Sequence, residues 1–137
     1  MNVTGLTPIL NVSNLSESFA WFEKLGWQKH WEWGEEEPTF GAVISGKTEI
    51  FLCRNCQGAR GGRMPEQPWD NQAGSVWMSW WLETTAEVDE VYELALKLGI
   101  VAPFPPTDMP WNVRECHIRH PDGHTFRVGS NIECEED

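Results

Sequence analysis

The chain has few basic residues and no long hydrophobic run. Its 137 residues include 10 Lys and Arg against 21 Asp and Glu, which gives a formal charge of −11. A nucleic acid backbone would meet net repulsion, so nucleic acid is not expected as a partner. No apolar stretch reaches the roughly 18 residues that a transmembrane helix needs, so no membrane is expected either. The length predicts one domain covering residues 1–137.

The N-terminus lacks a basic segment followed by an apolar stretch, the pattern of a secretion or import signal. We therefore expect a cytoplasmic protein whose cysteines, Cys53, Cys56, Cys116 and Cys134, are reduced thiols. Cys53 and Cys56 have the spacing of a zinc half-site or a redox pair. Since no second pair or suitably spaced histidines complete a zinc site, we interpret this spacing as incidental, with redox or metal chemistry as the alternative.

Two Lys-Leu-Gly triplets, ending at Gly26 and Gly99, indicate an internal repeat with an offset of 73 residues. An apolar stripe at helical spacing precedes each triplet, which predicts two amphipathic helices. Asn14 and Thr84, each followed three residues later by a glutamate, are typical helix N-caps. The two glycines suit the left-handed position at a helix C-terminus.

Strand-like stretches surround each helix in the same order. They cover residues 6–12, 27–33, 39–45 and 48–53, and then 75–82, 100–104, 113–119 and 125–129. The predicted fold class is therefore α+β, with two βαβββ modules. These modules cover about 5–56 and 75–130, joined by a Gly- and Pro-rich linker at 57–74 and followed by an acidic tail at 131–137. A Pro-rich loop is expected from Pro103 to Pro110.

The segment from His120 to His124 has the composition of a tight hairpin. With a three-residue loop, Glu115, His117 and Arg127 lie on one face of the two strands, and a two-residue loop would overturn this assignment. Such a polar set either meets solvent or lines a cavity. In a cavity, Arg127 would hold a ligand carboxylate or pair with Glu115. His120 and His124 are interpreted as surface or turn residues.

Together these motifs resemble the glyoxalase, bleomycin-resistance and extradiol-dioxygenase superfamily, also called the vicinal oxygen chelate fold. The resemblance is carried by residues 7–15 leading into 18–26, by 88–92, and by Arg114-Glu115 followed by 121–124 and 126–128. It implies two modules whose mixed sheets curl around a cleft, commonly completed in a homodimer.

Catalytic members of this superfamily hold a divalent metal with four side chains. The matching positions here are Thr7, Phe51, Trp80 and Arg127. Phenylalanine, tryptophan and charged arginine are not metal donors, and threonine is a poor one. The resemblance therefore implies no metal and no cofactor. It is closest to the bleomycin-resistance branch, whose members bind a cationic aromatic drug without altering it.

Nine tryptophans suit such a ligand, because indole faces stack on planar rings and on cations. The net negative charge would also attract a cation. Core or interface packing is the alternative for each aromatic residue. The candidate ligand-binding residues are Trp33, Phe40, Phe51, Trp69, Trp80, Trp111, Glu115, His117 and Arg127.

The expected function is non-catalytic binding or sequestration of a cationic or aromatic small molecule by a homodimer. The alternative is a metal-dependent lyase, isomerase or dioxygenase of the same superfamily. Its metal would be held by relocated ligands such as Glu115 and His117. A third possibility is that the tryptophans fill the cleft and the partner is another protein.

Overall fold

The computed structural model of the chain describes residues 1–61 and 76–133. The chain divides into two units, Met1–Arg60 and Gly61–Asp137, and the boundary falls inside the predicted linker. Each unit contains one helix and one four-stranded mixed sheet. The predicted α+β class with two βαβββ modules is therefore confirmed. Residues 62–74 of the predicted linker and 134–137 of the predicted tail lie outside the described residues.

The two units repeat one order of elements. Unit 1 contains β1 (Ile9–Val12), α1 (Leu15–Lys24), β2 (Gln28–Trp33), β3 (Phe40–Ser45) and β4 (Thr48–Arg54). Unit 2 contains β5 (Trp77–Trp81), α2 (Thr85–Lys97), β6 (Val101–Asp108), β7 (Val113–Arg119) and β8 (Thr125–Asn131). The strand orders are β1-β4-β3-β2 and β5-β8-β7-β6. In each sheet the first pair is parallel and the others are antiparallel.

Both predicted helix caps form. Oδ1 of Asn14 accepts a hydrogen bond from the Glu17 amide at 2.9 Å. Oγ1 of Thr84 accepts from the Glu87 amide at 3.3 Å and donates to the Glu87 carboxylate at 2.9 Å. These bonds satisfy amide groups that a helix start would otherwise leave unpaired. Within the described residues, neither helix has the length and apolarity needed to cross a membrane.

The offset between the two units changes at the helices. The N-caps Asn14 and Thr84 lie 70 positions apart, whereas Gly26 and Gly99, both in the left-handed conformation, lie 73 apart. The difference arises because α1 has 10 residues and α2 has 13. The strands that precede the helices are therefore related by the smaller offset.

This smaller offset corrects the predicted equivalence of Thr7 and Trp80. Ile9 in β1 lies opposite Phe51, and Ser79 in β5 lies opposite Arg127. Phe51 and Arg127 are the two positions in β4 and β8 that were matched to metal ligands. Counting back two residues from Ile9 and from Ser79 makes Trp77 the counterpart of Thr7. Because side chains alternate along a strand, Trp77 and Trp80 point to opposite faces of the sheet.

Each unit packs its helix against one face of its sheet. In unit 1, Phe22 of α1 is fully buried, and its ring contacts Trp21 and Trp27 with centroid distances of 5.0 and 5.7 Å. Gly41 of β3 leaves room for Phe19, since a Cβ at Gly41 would lie 2.6 Å from the Phe19 ring. The buried side chains on the helix side of the unit 2 sheet include Cys116, Ile118, Phe126 and Val128.

Strand β6 is longer than expected. It extends to Asp108 through Pro103, Pro105 and Pro106, residues that were predicted to lie in a loop. Among the strands of residues 1–61 and 76–133, β6 lies at the edge of its sheet and pairs with β7 alone, and its register shifts between Val101 and Phe104 and again before Thr107. Proline is tolerated there because the missing amide hydrogen is not needed on the outer side of an edge strand.

The hairpin between β7 and β8 has the predicted three-residue loop. The His120 amide donates to the His124 carbonyl at 2.9 Å, and the Gly123 amide donates to the His120 carbonyl at 2.8 Å. Gly123 has a φ of 87°, and a Cβ there would lie 2.5 Å from the backbone of Gly61. His120 and His124 flank this turn, in agreement with their interpretation as turn residues, but the alternative that they lie on the surface is wrong, because both side chains are buried.

Acidification is expected to destabilise the protein through His120. Burial, and to a smaller extent the charge of His124, lowers the pKa of His120 from 6.5 to about 4. Between these two values the unfolded chain binds a proton that the folded chain does not. The free energy of unfolding therefore falls as the pH falls through this window, by on the order of 3 kcal/mol for the full shift.

Urea denaturation at about pH 7, 5.5 and 4.5 measures this dependence. The matched variant is His120→Asn, whose amide oxygen can accept the hydrogen bond that Nδ1 takes from the Asp122 amide at 3.0 Å. Its free energy of unfolding should depend less steeply on pH than that of the unmodified chain. Equal slopes for the two proteins would contradict the assignment to His120.

Candidate functional site

The polar residues of β7 and β8 lie on the face of the unit 2 sheet that points away from α2. Cys116 identifies the helix side, because its Sγ lies 3.9 Å from the Val88 carbonyl of α2. Glu115 and His117, its neighbours along β7, therefore point to the other face. His117 is directly opposite Arg127 in the register, so the predicted sharing of one face by these three residues is confirmed.

Four side chains on this face form one hydrogen-bonded network, which we call the Glu115 network. Arg127 binds the Glu115 carboxylate with two atoms, Nε to Oε2 at 2.9 Å and Nη2 to Oε1 at 2.8 Å. Nε1 of Trp111 donates to Oε1 at 3.2 Å, and Nε2 of His117 lies 2.9 Å from Oε2. Both carboxylate oxygens therefore receive two bonds each.

The charges of the network are fixed by its burial and its bonds. Burial alone would raise the pKa of Glu115, but hydrogen bonds from Arg127 and His117 outweigh it and hold this pKa below its usual value. Burial lowers the pKa of His117, and the bond to Glu115 offsets this only in part. At neutral pH the network is an ion pair beside a neutral imidazole. Since a carboxylate only accepts, Nε2 of His117 carries the proton.

Aromatic rings surround the network. The His117 ring lies edge-on to Trp77, with centroids 5.4 Å apart, and 4.8 Å from Phe104. Cζ of Arg127 lies 5.8 Å from the centre of the Trp111 ring, within cation–π range. Trp77 and Phe104 were not among the predicted site residues. The sequence did contain evidence for Trp77, because the two helix N-caps lie 70 positions apart. Using this offset instead of 73 makes Trp77, rather than Trp80, the counterpart of Thr7.

The surface beside Arg127 is shallow and has exposed indole rings. A recess of about 10 Å³ is lined by Ser79, Trp81, Val113, Glu115, Arg127 and Gly129. This volume is enough for a water molecule at most, so a larger ligand would have to lie over the recess. Trp81 and Trp111 are 61% and 55% exposed, which leaves their ring faces available for stacking.

Unit 1 also carries aromatic residues on the face away from its helix. Trp31, Phe40 and Phe51, which we call the aromatic cluster, lie with their ring centroids 5.3 to 5.5 Å apart. Phe40 and Phe51 were predicted site residues, and the structure brings them together. Trp31 was missed, because its position on this face depends on a register shift between Lys29 and Trp31.

Trp33 lines a separate cleft at the tip of the β2–β3 hairpin. The cleft has a volume of about 620 Å³, and the Trp33 side chain is 70% exposed. Two of its carboxylates already have cationic partners at 2.8 Å: Glu32 pairs with Lys29 and Glu37 pairs with Arg54. The other lining residues are Gly34, Glu35 and Thr39.

The structure separates Trp80 from the other candidates. Trp80 points to the helix side of the unit 2 sheet, where its ring stacks on Phe126 with a centroid distance of 4.3 Å and an angle of 19°. This is the packing alternative that its sequence left open. Trp69 lies outside the described residues.

The donor chemistry does not fit a divalent metal at the matched positions. With the corrected offset these are Thr7, Phe51, Trp77 and Arg127, none of which is a good metal ligand. Within residues 1–61 and 76–133, no three His, Cys, Asp or Glu side chains are grouped so that they could hold a metal ion. Glu115 and His117, the relocated ligands of the alternative metal-dependent function, bond to each other at 2.9 Å.

Solved structures share this fold at low sequence identity. A glyoxalase/bleomycin resistance protein/dioxygenase from Nocardioides is 21% identical, covering 99% of this chain and 88% of its own, with a TM-score of 0.70. A bleomycin-binding protein complexed with bleomycin is 18% identical, covering 94% and 99%, with a TM-score of 0.65. A lactoylglutathione lyase from Agrobacterium tumefaciens is 18% identical, covering 95% and 96%, with a TM-score of 0.69.

These relatives include both a binder and an enzyme, so the likeness shows the fold alone. Among curated proteins, none matches the sequence significantly. The family model described as Glyoxalase/Bleomycin resistance protein/Dioxygenase superfamily matches residues 4–128. This match covers most of both units, and the chain therefore belongs to that superfamily.

Proposed function

We propose that the chain is a metal-independent, homodimeric binding protein that sequesters a cationic or aromatic small molecule. The observation that carries this proposal is the ion pair between Arg127 and Glu115. Arg127 stands at a position matched to a metal ligand, and its guanidinium places a permanent positive charge there. A divalent cation at the same place would meet direct repulsion.

The same network argues against acid–base catalysis. A general base needs a free lone pair within reach of the substrate. Both oxygens of Glu115 accept hydrogen bonds, and its pKa is lowered, so it holds a proton poorly at neutral pH. His117 does not meet this requirement either, because it is 2% exposed and lies beside the rings of Trp77 and Phe104, out of reach of a substrate at the surface.

The aromatic and acidic surfaces supply the chemistry for binding. Trp81 and Trp111 expose ring faces next to Arg127, and Trp33 exposes its ring in a cleft that also contains Glu35. Stacking on indole costs little side-chain entropy, which favours planar ligands. The formal charge of −11 increases the rate at which a cationic ligand would reach the protein.

Calorimetric titration with bleomycin in the presence of a chelator tests this proposal. We expect saturable binding at about one site per chain without metal, and Trp111→Ala should weaken it by about tenfold or more, as expected for a truncated aromatic anchor. The matched control is Leu96→Ala, an exposed apolar residue of α2, which should leave the affinity unchanged. Thermal unfolding of both variants shows whether either change disturbs the fold.

Three outcomes would contradict parts of the proposal. The absence of heat and of thermal stabilisation at high bleomycin concentration would reject this drug as a ligand. Unchanged affinity in Trp111→Ala would remove the surface around Arg127 from the site. About one tightly held divalent ion per chain, lost in His117→Ala, would favour the metal-dependent enzyme instead.

A further inference from the structure

Two cysteines at the end of β4 lie close enough to bond. Cys53 and Cys56 have Cα atoms 5.8 Å apart, inside the usual range for disulfides, and the structure pairs them. This differs from the expectation of reduced thiols that followed from the predicted compartment. Cys53 is the penultimate residue of β4 (Thr48–Arg54), and Cys56 follows in the turn.

Hydrogen bonds that do not involve sulfur hold the turn in place. Asn55 has a φ of 53°, a left-handed conformation that asparagine tolerates, and its amide donates to the Val12 carbonyl at 3.0 Å. Nδ2 of Asn11 donates to the carbonyls of Cys56 at 3.3 Å and Gly58 at 2.7 Å. The two sulfurs are therefore kept near each other by β1, with or without a bond between them.

The two cysteines differ in access. Cys53 is 6% exposed, whereas Cys56 lies on the surface. In the reduced form the Cys53 thiol can donate to Oε1 of Gln57, which lies 3.3 Å from its Sγ. Cys116 provides an internal contrast, because it is fully buried and burial raises its pKa to about 12. An external reagent therefore meets Cys56 first.

We propose that Cys53 and Cys56 form a thiol–disulfide exchange site that reacts with small-molecule disulfides of the glutathione type. The Cys56 thiolate attacks one sulfur of the reagent, whose S–S bond breaks and releases one thiolate. The Cys53 thiolate then attacks the Cys56 sulfur of the mixed disulfide and releases the second thiolate. The two protein thiols lose two electrons and two protons, and the reagent disulfide becomes two thiols. Excess small-molecule thiol reverses both steps.

The exchange site lies beside the aromatic cluster, on the same face of the unit 1 sheet. Cys53 lies directly opposite Phe40 in the register, and Phe51 is two residues earlier on the same strand and face. The exchange is nevertheless independent of the proposed ligand, because it needs only the two cysteines and the turn that holds them. Its failure would leave the proposed binding function untouched.

Mass spectrometry of the folded chain tests the exchange. The full chain with Cys134→Ser is reduced, then treated with glutathione disulfide under native conditions. We expect a mass loss of about 2 Da and the disappearance of two titratable thiols, with Cys116 left unmodified. Adding Cys53→Ser should trap a glutathione adduct of about 305 Da on Cys56, because no second thiol can resolve it.

Cys56→Ser in the same background is the matched control and should gain little adduct, since Cys53 is buried. The proposal would be overturned if the chain with both cysteines kept a stable adduct instead of closing the ring. Equal adduct formation in Cys53→Ser and Cys56→Ser would also overturn it, and so would unreacted thiols in all three proteins.

Discussion

Replacing Glu115 with alanine is expected to lower the free energy of unfolding by about 3 kcal/mol. The change removes the carboxylate that pairs with Arg127 and that also bonds to a buried His117. Breaking a buried ion pair costs about 3–5 kcal/mol in general. The low end applies here because the Arg127 side chain is 37% exposed and keeps access to water.

Urea denaturation with matched variants measures this loss. Glu90→Ala, an exposed carboxylate of α2, should change the free energy of unfolding by less than about 0.5 kcal/mol. The free energy of unfolding of Glu115→Gln should lie between those of Glu115→Ala and Glu90→Ala. Its amide oxygen still accepts a hydrogen bond from Arg127, but its NH2 group faces other donors. If Glu115→Ala were as stable as Glu90→Ala, the Glu115 network would not contribute to stability.

Replacing Phe22 with alanine is expected to lower the free energy of unfolding by about 3–5 kcal/mol, the range for deleting a buried phenylalanine. Phe22 is fully buried between α1 and the sheet of unit 1 and contacts two tryptophan rings. The loss combines the transfer of the ring to water with the cavity that it leaves.

The control for this prediction is Trp33→Ala, which removes a larger ring that is 70% exposed. It should change the free energy of unfolding by less than about 0.5 kcal/mol. Phe22→Leu fills most of the space and should lose less than Phe22→Ala. Equal denaturation midpoints for Phe22→Ala and Trp33→Ala would contradict the placement of Phe22 in the core.

Features set by neighbouring residues were predictable from the sequence. The capping bonds of Asn14 and Thr84 join residues three positions apart, so the sequence places donor and acceptor within reach. The hairpin at Pro121 to Gly123 is equally local, and its loop length fixes which residues of β7 and β8 are opposite each other. That register was enough to place Glu115, His117 and Arg127 on one face.

Features set by distant contacts were not predictable in this way. The hairpin motif gave no sign that His120 and His124 are buried. The turn also meets a distant residue, because the Gly61 amide donates to the Asp122 carbonyl at 2.9 Å. The extension of β6 through its prolines depends on β6 being an edge strand. The contacts of Trp77 and Phe104 with the His117 ring likewise depend on which strands are neighbours in the sheet.

The unequal lengths of α1 and α2 also bear on which face each helix can present to its sheet. Three residues turn an α-helix by about 300°, which is about 60° short of a full turn. Three residues inserted in the middle of the apolar stripe would rotate the apolar residues on one side of the insertion away from the sheet. Three residues added at the N-terminal end of the helix leave the whole stripe facing the sheet. The 13 residues of α2 against the 10 of α1 therefore lengthen the second helix at its N-terminal end without changing the face that it buries, since Val88 and Ala95 correspond to Leu15 and Phe22.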